Sequence, residues 1–239
     1  MKTRTSITSP NAMYLIAVNA GKYWANAVFR CFIPVLTGIA MAGCSALPDK
    51  PMRSVMYDFG PGLLVDAPAT RQAPLAPIAI DDITTSGGAL DNMSVLYRLA
   101  YLDGQQLRTY AQARWSAPPA LLVRQRLRDQ LGQRRAVFNA GDSIALNRSQ
   151  NAVLPLLLRL ELEEFSHLFT TPDASVGLIR LRATLVDVTP AGEKLVGQRN
   201  VIVQRPAISS DAPGGVRALT LATDAAIEEI DQWLQQAVR

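Results

Sequence analysis

Histidine and cysteine are almost missing from this chain: one histidine, His167, and two cysteines, Cys31 and Cys44, in 239 residues. With no cysteine after residue 44, the bulk of the chain can close no disulfide and offers no thiolate to a metal. A zinc site would need several carboxylates around the lone imidazole, and none are spaced for it. Beside an aromatic-rich strand end, His167 reads as a packed residue rather than a catalytic base. No G-x-x-x-x-G-K-[ST] run is present, which excludes ATP hydrolysis by that route. There is no G-x-G-x-x-G after a strand and no G-x-S-x-G elbow. Asp81-Asp82 is a carboxylate pair without a positioned partner and reads as a turn or cap. These absences argue against an enzyme, a hydrolase included. A long apolar run is missing too. The stretch Cys31–Ala42 has 12 residues and is interrupted by Pro34 and Gly38, whereas a spanning helix needs about 20.

What is present begins with the leader. Basic Lys22 and Arg30 precede that short apolar stretch, and Met41-Ala42-Gly43-Cys44 closes it. A basic flank, a short apolar core and small residues before a cysteine form the layout of a bacterial secretion signal ending in a lipidated cysteine. Residues 1–43 are therefore expected to be cleaved, with Met13 a second candidate start. The competing reading is an uncleaved signal anchor with Cys44 unmodified. Acyl chains such as palmitate contribute about 0.8 kcal/mol per buried methylene, so two or more hold a domain on a membrane stably. By the bacterial sorting rule, Ser45 rather than aspartate after the cysteine leans toward the outer membrane. The covalent lipid on Cys44 is the one non-protein group expected; no cofactor and no metal are.

The leader also accounts for the charge. The chain has net charge +4 and pI near 9.3. Residues 1–43 hold Lys2, Arg4, Lys22 and Arg30 and no acid, so the remainder falls from 24 basic residues to 20, against 20 acidic ones. A neutral mature chain gives no support to nucleic-acid binding.

Residues 44–76 read as a lipidated N-terminus and tether, with Pro48, Pro51, Pro61, Pro68 and Pro74 and little periodicity. Tyr57-Asp58-Phe59 is a candidate edge strand inside it. A domain is expected over 77–239. Ile78–Ile80 opens it as a short strand. Val95–Leu102 and Gln105–Trp115 flank Asp103-Gly104, a dipeptide that favours positive φ and a hairpin. Ser116-Ala117-Pro118-Pro119 signals a helix start, with Ser116 accepting free N–H groups, and the helix spans Pro118–Leu131. Ala120, Val123, Leu127 and Leu131 share one side of it; Arg124, Arg126 and Arg128 crowd the rest, either as a solvated face or as a docking surface for an acidic partner or lipid headgroups.

Leu154–Phe165 alternates leucine with Arg159, Glu161 and Glu163, a half-buried strand whose parity breaks near Glu164, where a bulge is expected. Ser175–Val188 repeats the alternation with Ile179, Leu181, Ala183 and Leu185 inward. After the turn Thr189–Gly192, Leu195, Val201 and Val203 are expected on one side of a third strand. Arg180 and Arg182 are placed across from Glu161 and Glu163. Pro213-Gly214-Gly215 reads as a loop end and a flexible helix start. Val216, Leu219, Thr223, Ala226, Ile227, Ile230, Trp233 and Leu234 then mark an amphipathic helix running to about Ala237. The expected architecture is α+β: an antiparallel sheet with two main helices packed on it. Tyr97, Tyr101, Tyr110 and Trp115 all fall on the hairpin, either as ordinary packing or as a groove for a partner chain or an acyl tail.

Several of these segments carry a resemblance. S-V-L-Y-R-L-A-Y (94–101), Q-L-R-T-Y-A-Q-A-R-W-S-A-P-P (106–119), L-R-L-E-L-E-E-F (158–165), G-L-I-R-L-R-A-T-L-V-D (177–187), G-G-V-R-A-L (214–219) and the earlier Y-D-F-G-P (57–61) together resemble the ABC-type transport auxiliary lipoproteins, the PqiC-like group associated with MCE- and Mla-type lipid transport. The resemblance covers about Tyr57 to Leu234, and the A-R-W-S-A-P-P run is its most specific part. It implies a non-enzymatic periplasmic component that accompanies an ABC permease, an ATPase and an MCE-domain protein. It implies no catalytic residue, supports Cys44 as the lipidation site, and brings the expectation of a homo-oligomeric ring.

The reading that results is a membrane-anchored auxiliary component of an ABC transporter for phospholipid or another hydrophobic substrate, facing the periplasm. Its contact candidates are Tyr97, Tyr101, Tyr110, Trp115, Arg124, Arg126 and Arg128. The second class is a periplasmic carrier that holds one lipid in its own apolar cavity.

Overall fold

A bulge in the most leucine-rich strand sets the phase of the buried face. The computed structural model describes residues 53–62, 74–141, 154–189 and 191–237. The leader, Cys44 and most of the expected tether lie outside the described residues. In chain order the elements are β1 (Val55–Tyr57), β2 (Ile78–Ile80), β3 (Thr84–Thr85), a 3-10 turn (Gly88–Leu90), β4 (Ser94–Leu99), α1 (Ala100–Asp103), β5 (Gly104–Trp115), α2 (Pro119–Leu131), β6 (Val137–Asn139), β7 (Leu156–Phe169), β8 (Ser175–Thr189), β9 (Gly192–Pro206) and α3 (Ala212–Ala237).

In β7, Leu158, Leu160 and Leu162 are buried, and Arg159, Glu161 and Glu163 take the other face. The register slips between Leu162 and Glu164, as the parity break predicts. The slip turns Phe165, His167 and Phe169 onto the buried face that the leucines began. β8 lies antiparallel to β7 and buries Ile179, Leu181, Ala183 and Leu185. On the outer face Arg182 pairs with Glu161 at 3.0 Å and also with Glu163; Arg180 stands across from Glu164 instead. β9 continues the antiparallel meander, with a second slip between Leu185 and Val186. That slip corrects one expectation: Val201 and Val203 are buried, but Leu195 is 63% exposed.

The remaining strands change the sheet class. β2, β3 and β4 line up in succession along the other edge of β7, all parallel to it. β1 is parallel to β5, and β6 is parallel to β2; only β4–β5 adds another antiparallel pair. The sheet is therefore mixed, not antiparallel, because short segments return to β7 through crossovers that a hairpin rule cannot foresee. The α+β class stands.

Two turn assignments also differ. Gly104 has φ −68°, so Asp103-Gly104 supplies no positive-φ hairpin; the one-turn α1 links β4 to β5. Pro118 is the N-cap residue of α2 without a side-chain cap, and the Ser116 N–H donates to the Tyr57 carbonyl. That bond belongs to a larger surprise. Part of the segment read as tether packs on the domain: β1 extends the sheet beside β5, and Phe59 sits edge-on to Trp115 at 5.6 Å and near Phe165 at 6.1 Å.

α3 packs on β7, β8 and β9 with Leu219, Ala226, Ile227, Ile230 and Leu234 facing the sheet. It starts earlier than expected, so Gly214 and Gly215 are helical rather than a loop end. Close approach explains the glycines. A Cβ on Gly215 would stand 2.3 Å from His167 Nδ1, and one on Gly177 of β8 would stand 2.4 Å from the backbone of Ala218 and Leu219. Among the described residues no helix is long and apolar enough to cross a membrane.

Candidate functional site

The aromatic hairpin divides into three environments. Trp115 is fully buried in the main core with Phe59 and Phe165. Tyr97 and Tyr110 are half-buried and lie 4.6 Å apart, and Tyr97 meets Phe169 edge-on at 6.1 Å. Tyr101, on α1, is 41% exposed. The four therefore line no common groove.

Tyr110 instead leads inward to His167. Its hydroxyl is 2.8 Å from His167 Nδ1, and His167 Nε2 is 2.7 Å from Ser175 Oγ. A neutral imidazole satisfies both contacts, donating one hydrogen bond and accepting the other. Phe169 packs on the ring at 4.4 Å, and Gly215 of α3 closes over it. Burial pushes the His167 pKa down to about 4, against a weak upward pull from Asp211. Burial, and next the neighbouring Tyr97, raise the Tyr110 pKa, so its hydroxyl keeps its proton. A serine against a histidine has the look of a nucleophile and base. Here His167 is 0% and Ser175 7% exposed, leaving no place for a substrate, and the trio works as a buried clamp between β5, β7 and β8. Sequence spacing gave no sign of it, because the three residues come from three strands.

The arginines of α2 divide as well. Arg126 is buried and grips Asp224 of α3 through two bonds of 2.6 and 2.9 Å. The hydrogen bond to Asp224 raises its pKa, against an opposing burial effect. Just past the helix, buried Arg135 pairs with Asp231 at 2.5 Å; burial lowers its pKa and Asp231 pulls it back up. Arg124 and Arg128 both reach the Asn139 side chain, and Arg124 also pairs with Asp82 at 3.3 Å. Arg126 thus joins the helices and is not part of an open face. One signal was available: it lies three residues after Val123, on the buried side of the helical repeat.

Between α2 and α3 an open groove of about 420 Å³ is lined by Leu131, Leu221, Ala225 and Ile227 and edged by Asp224, Glu228 and Asp231. Among the described residues no group of three or more His, Cys, Asp or Glu is placed to hold a metal. The geometry is that of a packed scaffold with charged surfaces.

The model of the family described as the ABC-type transport auxiliary lipoprotein component matches residues 63–231. The chain belongs to this family. In fold it is similar to XCC0632 from Xanthomonas campestris, with a TM-score of 0.60, 16% identity, and coverage of 77% of this chain and 96% of that one. A second solved structure, of an uncharacterized protein, gives a TM-score of 0.52 at 12% identity over 77% of this chain and 99% of the other. At such identities the likeness is one of fold. No curated protein matches the chain.

Proposed function

We propose that this protein is a periplasm-facing lipoprotein, anchored through Cys44 and leaning toward the outer membrane, that serves an MCE-type ABC transporter of phospholipid or another hydrophobic substrate as a non-catalytic adaptor. Family membership over residues 63–231 is the observation that carries the reading. The sealed clamp at His167 supports a scaffold role, since its one histidine is unavailable to solvent. On this reading Cys44 holds the domain at the membrane and the domain docks the periplasmic conduit, coupling to ATP hydrolysis through protein contacts alone. Of the contact candidates, Tyr101 is exposed, Tyr97, Tyr110, Arg124 and Arg128 are partly exposed, and Trp115 and Arg126 are buried. A homo-oligomeric ring is part of the proposal, with the MCE-domain protein, permease and ATPase as partners and no nucleic acid.

The lipid-carrier alternative needs an apolar cavity. Between the sheet and α3 the space is filled by side chains such as Phe165, Leu181 and Leu219, and the open groove beside α3 is edged by carboxylates. Both observations favour the adaptor. The test is a crosslinked pull-down of the anchored, full-length protein from its own cells. Recovery of an MCE-domain protein with its permease and ATPase is expected. Their absence, together with bound lipid in the purified protein, would turn the assignment to the carrier.

A further inference from the structure

The long free edge of the sheet is β9. At the other margins β1 and β6 have three residues each, whereas β9 has 15 and pairs with β8 alone among the described residues. A strand edge left open in this way is a template for another strand.

The ladder decides which backbone groups are open. The Ala207 N–H donates to the Ser175 carbonyl at 2.9 Å. In an antiparallel pair, successive residues turn their N–H and C=O alternately to one side and the other. Counted back from Ala207 in the β8–β9 register, Arg205, Val203, Val201 and Arg199 face β8. Gln204, Ile202, Asn200 and Gln198 face away from it, and all four side chains are exposed, Ile202 to 56%. Two features bracket this open run. Val196 has no partner on β8, because Val186 pairs with Leu195 and Leu185 with Gly197. Pro206, at the other end, has no N–H to offer.

The run is its own complement. Its four residues are centred on Val201. A two-fold axis through Val201 sets Gln198 opposite Gln204, and Asn200 opposite Ile202, of a second copy, so every outward group of the run meets another. Moving the centre to Asn200 sets Gln204 against the bulged Val196, and moving it to Ile202 sets Gln198 against Pro206.

Side chains fit the same centre. On the helix face it sets Arg205 across from Gly197 and Val203 across from Arg199. Trp233 of α3 is half-buried and covers Gly197, 3.4 Å from where a Cβ would stand. Arg205 is exposed, and its guanidinium donates to the Gln204 carbonyl at 3.2 Å. Across the axis it meets the face of Trp233 instead and frees that carbonyl for the ladder. Arg199 lies diagonal to Arg205 of the second copy, but Glu229 already matches its charge at 2.8 Å. No like charges stand directly opposite. α3 lies over β8 and β9, so its two copies stand about 10 Å or more apart across the axis, no closer than helices that pack.

We propose that two copies of this chain pair antiparallel through β9, about a two-fold axis at Val201, joining their sheets into one. The contact is independent of the transporter assignment. It refines the homo-oligomer: a two-fold contact closes on itself, so a ring would be built of such dimers through a second surface.

Full-length protein in density-matched detergent, with Cys31 and Cys44 capped so that no disulfide forms, tests it by sedimentation and residue-resolved amide exchange. The expected result is a dimer fraction that rises with concentration. As it rises, exchange at Gln198, Asn200, Ile202 and Gln204 should slow by about tenfold or more. The amides of Arg199, Val201 and Val203 should be slow already in the monomer. Ile202→Lys sets two cations diagonally across the axis, and Ile202→Pro removes an N–H that β8 does not use. Each should weaken the dimer by about tenfold or more with an unchanged unfolding midpoint. If Ile202→Pro lowers the midpoint, Ile202→Lys decides. A monomer at every concentration up to the millimolar range overturns the proposal. So does an assembly that keeps those four amides fast and ignores Ile202→Lys, which would assign the second copy to another surface. The pull-down of the unaltered protein reads the transporter assignment separately.

Discussion

At the scale of single residues, two glycines and a histidine set the distance between α3 and the sheet. Adding a methyl at Gly177 or Gly215 places a carbon 2.4 Å from helix backbone or 2.3 Å from the imidazole. Neither neighbour is a flexible side-chain end, so both glycine-to-alanine substitutions should destabilise by about 1–3 kcal/mol or more through overpacking, read from denaturant midpoints. A glycine-to-alanine change at exposed Gly141, with nothing near its added carbon, is the control. His167 gives a pH signature. Its folded pKa of about 4 lies below the ordinary 6.5, so on acidification the unfolded chain takes up the proton first. Stability from this group is present above pH 6.5, falls as pH drops toward 4, and changes no further below that. The loss between pH 7 and pH 5 should be about 2 kcal/mol. His167→Gln should flatten the urea-midpoint profile in that window; an unchanged slope would assign the effect to other groups. The nearby titratable groups are Tyr97, Tyr110 and Asp211.

At the scale of elements, α2 is fastened to α3 by charge as much as by leucines. Arg126 is 8% exposed, so Arg126→Ala should leave Asp224 without its partner at the helix contact and lower stability by about 1–3 kcal/mol. A docking test on this helix must therefore leave Arg126 alone. Arg124→Glu/Arg128→Glu should preserve the fold more nearly, apart from bonds to Asn139 and Asp82, and partner recovery in the pull-down then reports on the face itself. The meander β7–β8–β9 was legible because alternation is written directly into it, and the Leu162/Glu164 slip was legible as a parity break. The second slip, beside Leu195, was not legible, since Leu195, Val196 and Gly197 read equally well in either phase. Thr84–Thr85 and Val137–Asn139 are too short to carry a period at all.

At the scale of the whole molecule, the N-terminal boundary is the main revision. Phe59 fills a place against Trp115 and Phe165, so Phe59→Ala should cost about 3 kcal/mol, and a domain begun at Pro77 should unfold at lower denaturant than one begun at Arg53. Equal midpoints would show that residues 53–62 contribute nothing to the fold. Local pattern alone determined the α+β class, the three-strand meander and the amphipathic α3, because periodicity and composition act over neighbours in sequence. Only the tertiary structure decided that the sheet is mixed, that Phe59 belongs to the core, that Arg126 is held by Asp224, and that Tyr110, His167 and Ser175 form one buried clamp. Each of those depends on residues far apart in sequence meeting across β7 or between helices. No local rule encodes such meetings: the partner is chosen by the topology that brings it near and by the need to satisfy each polar group once water is gone.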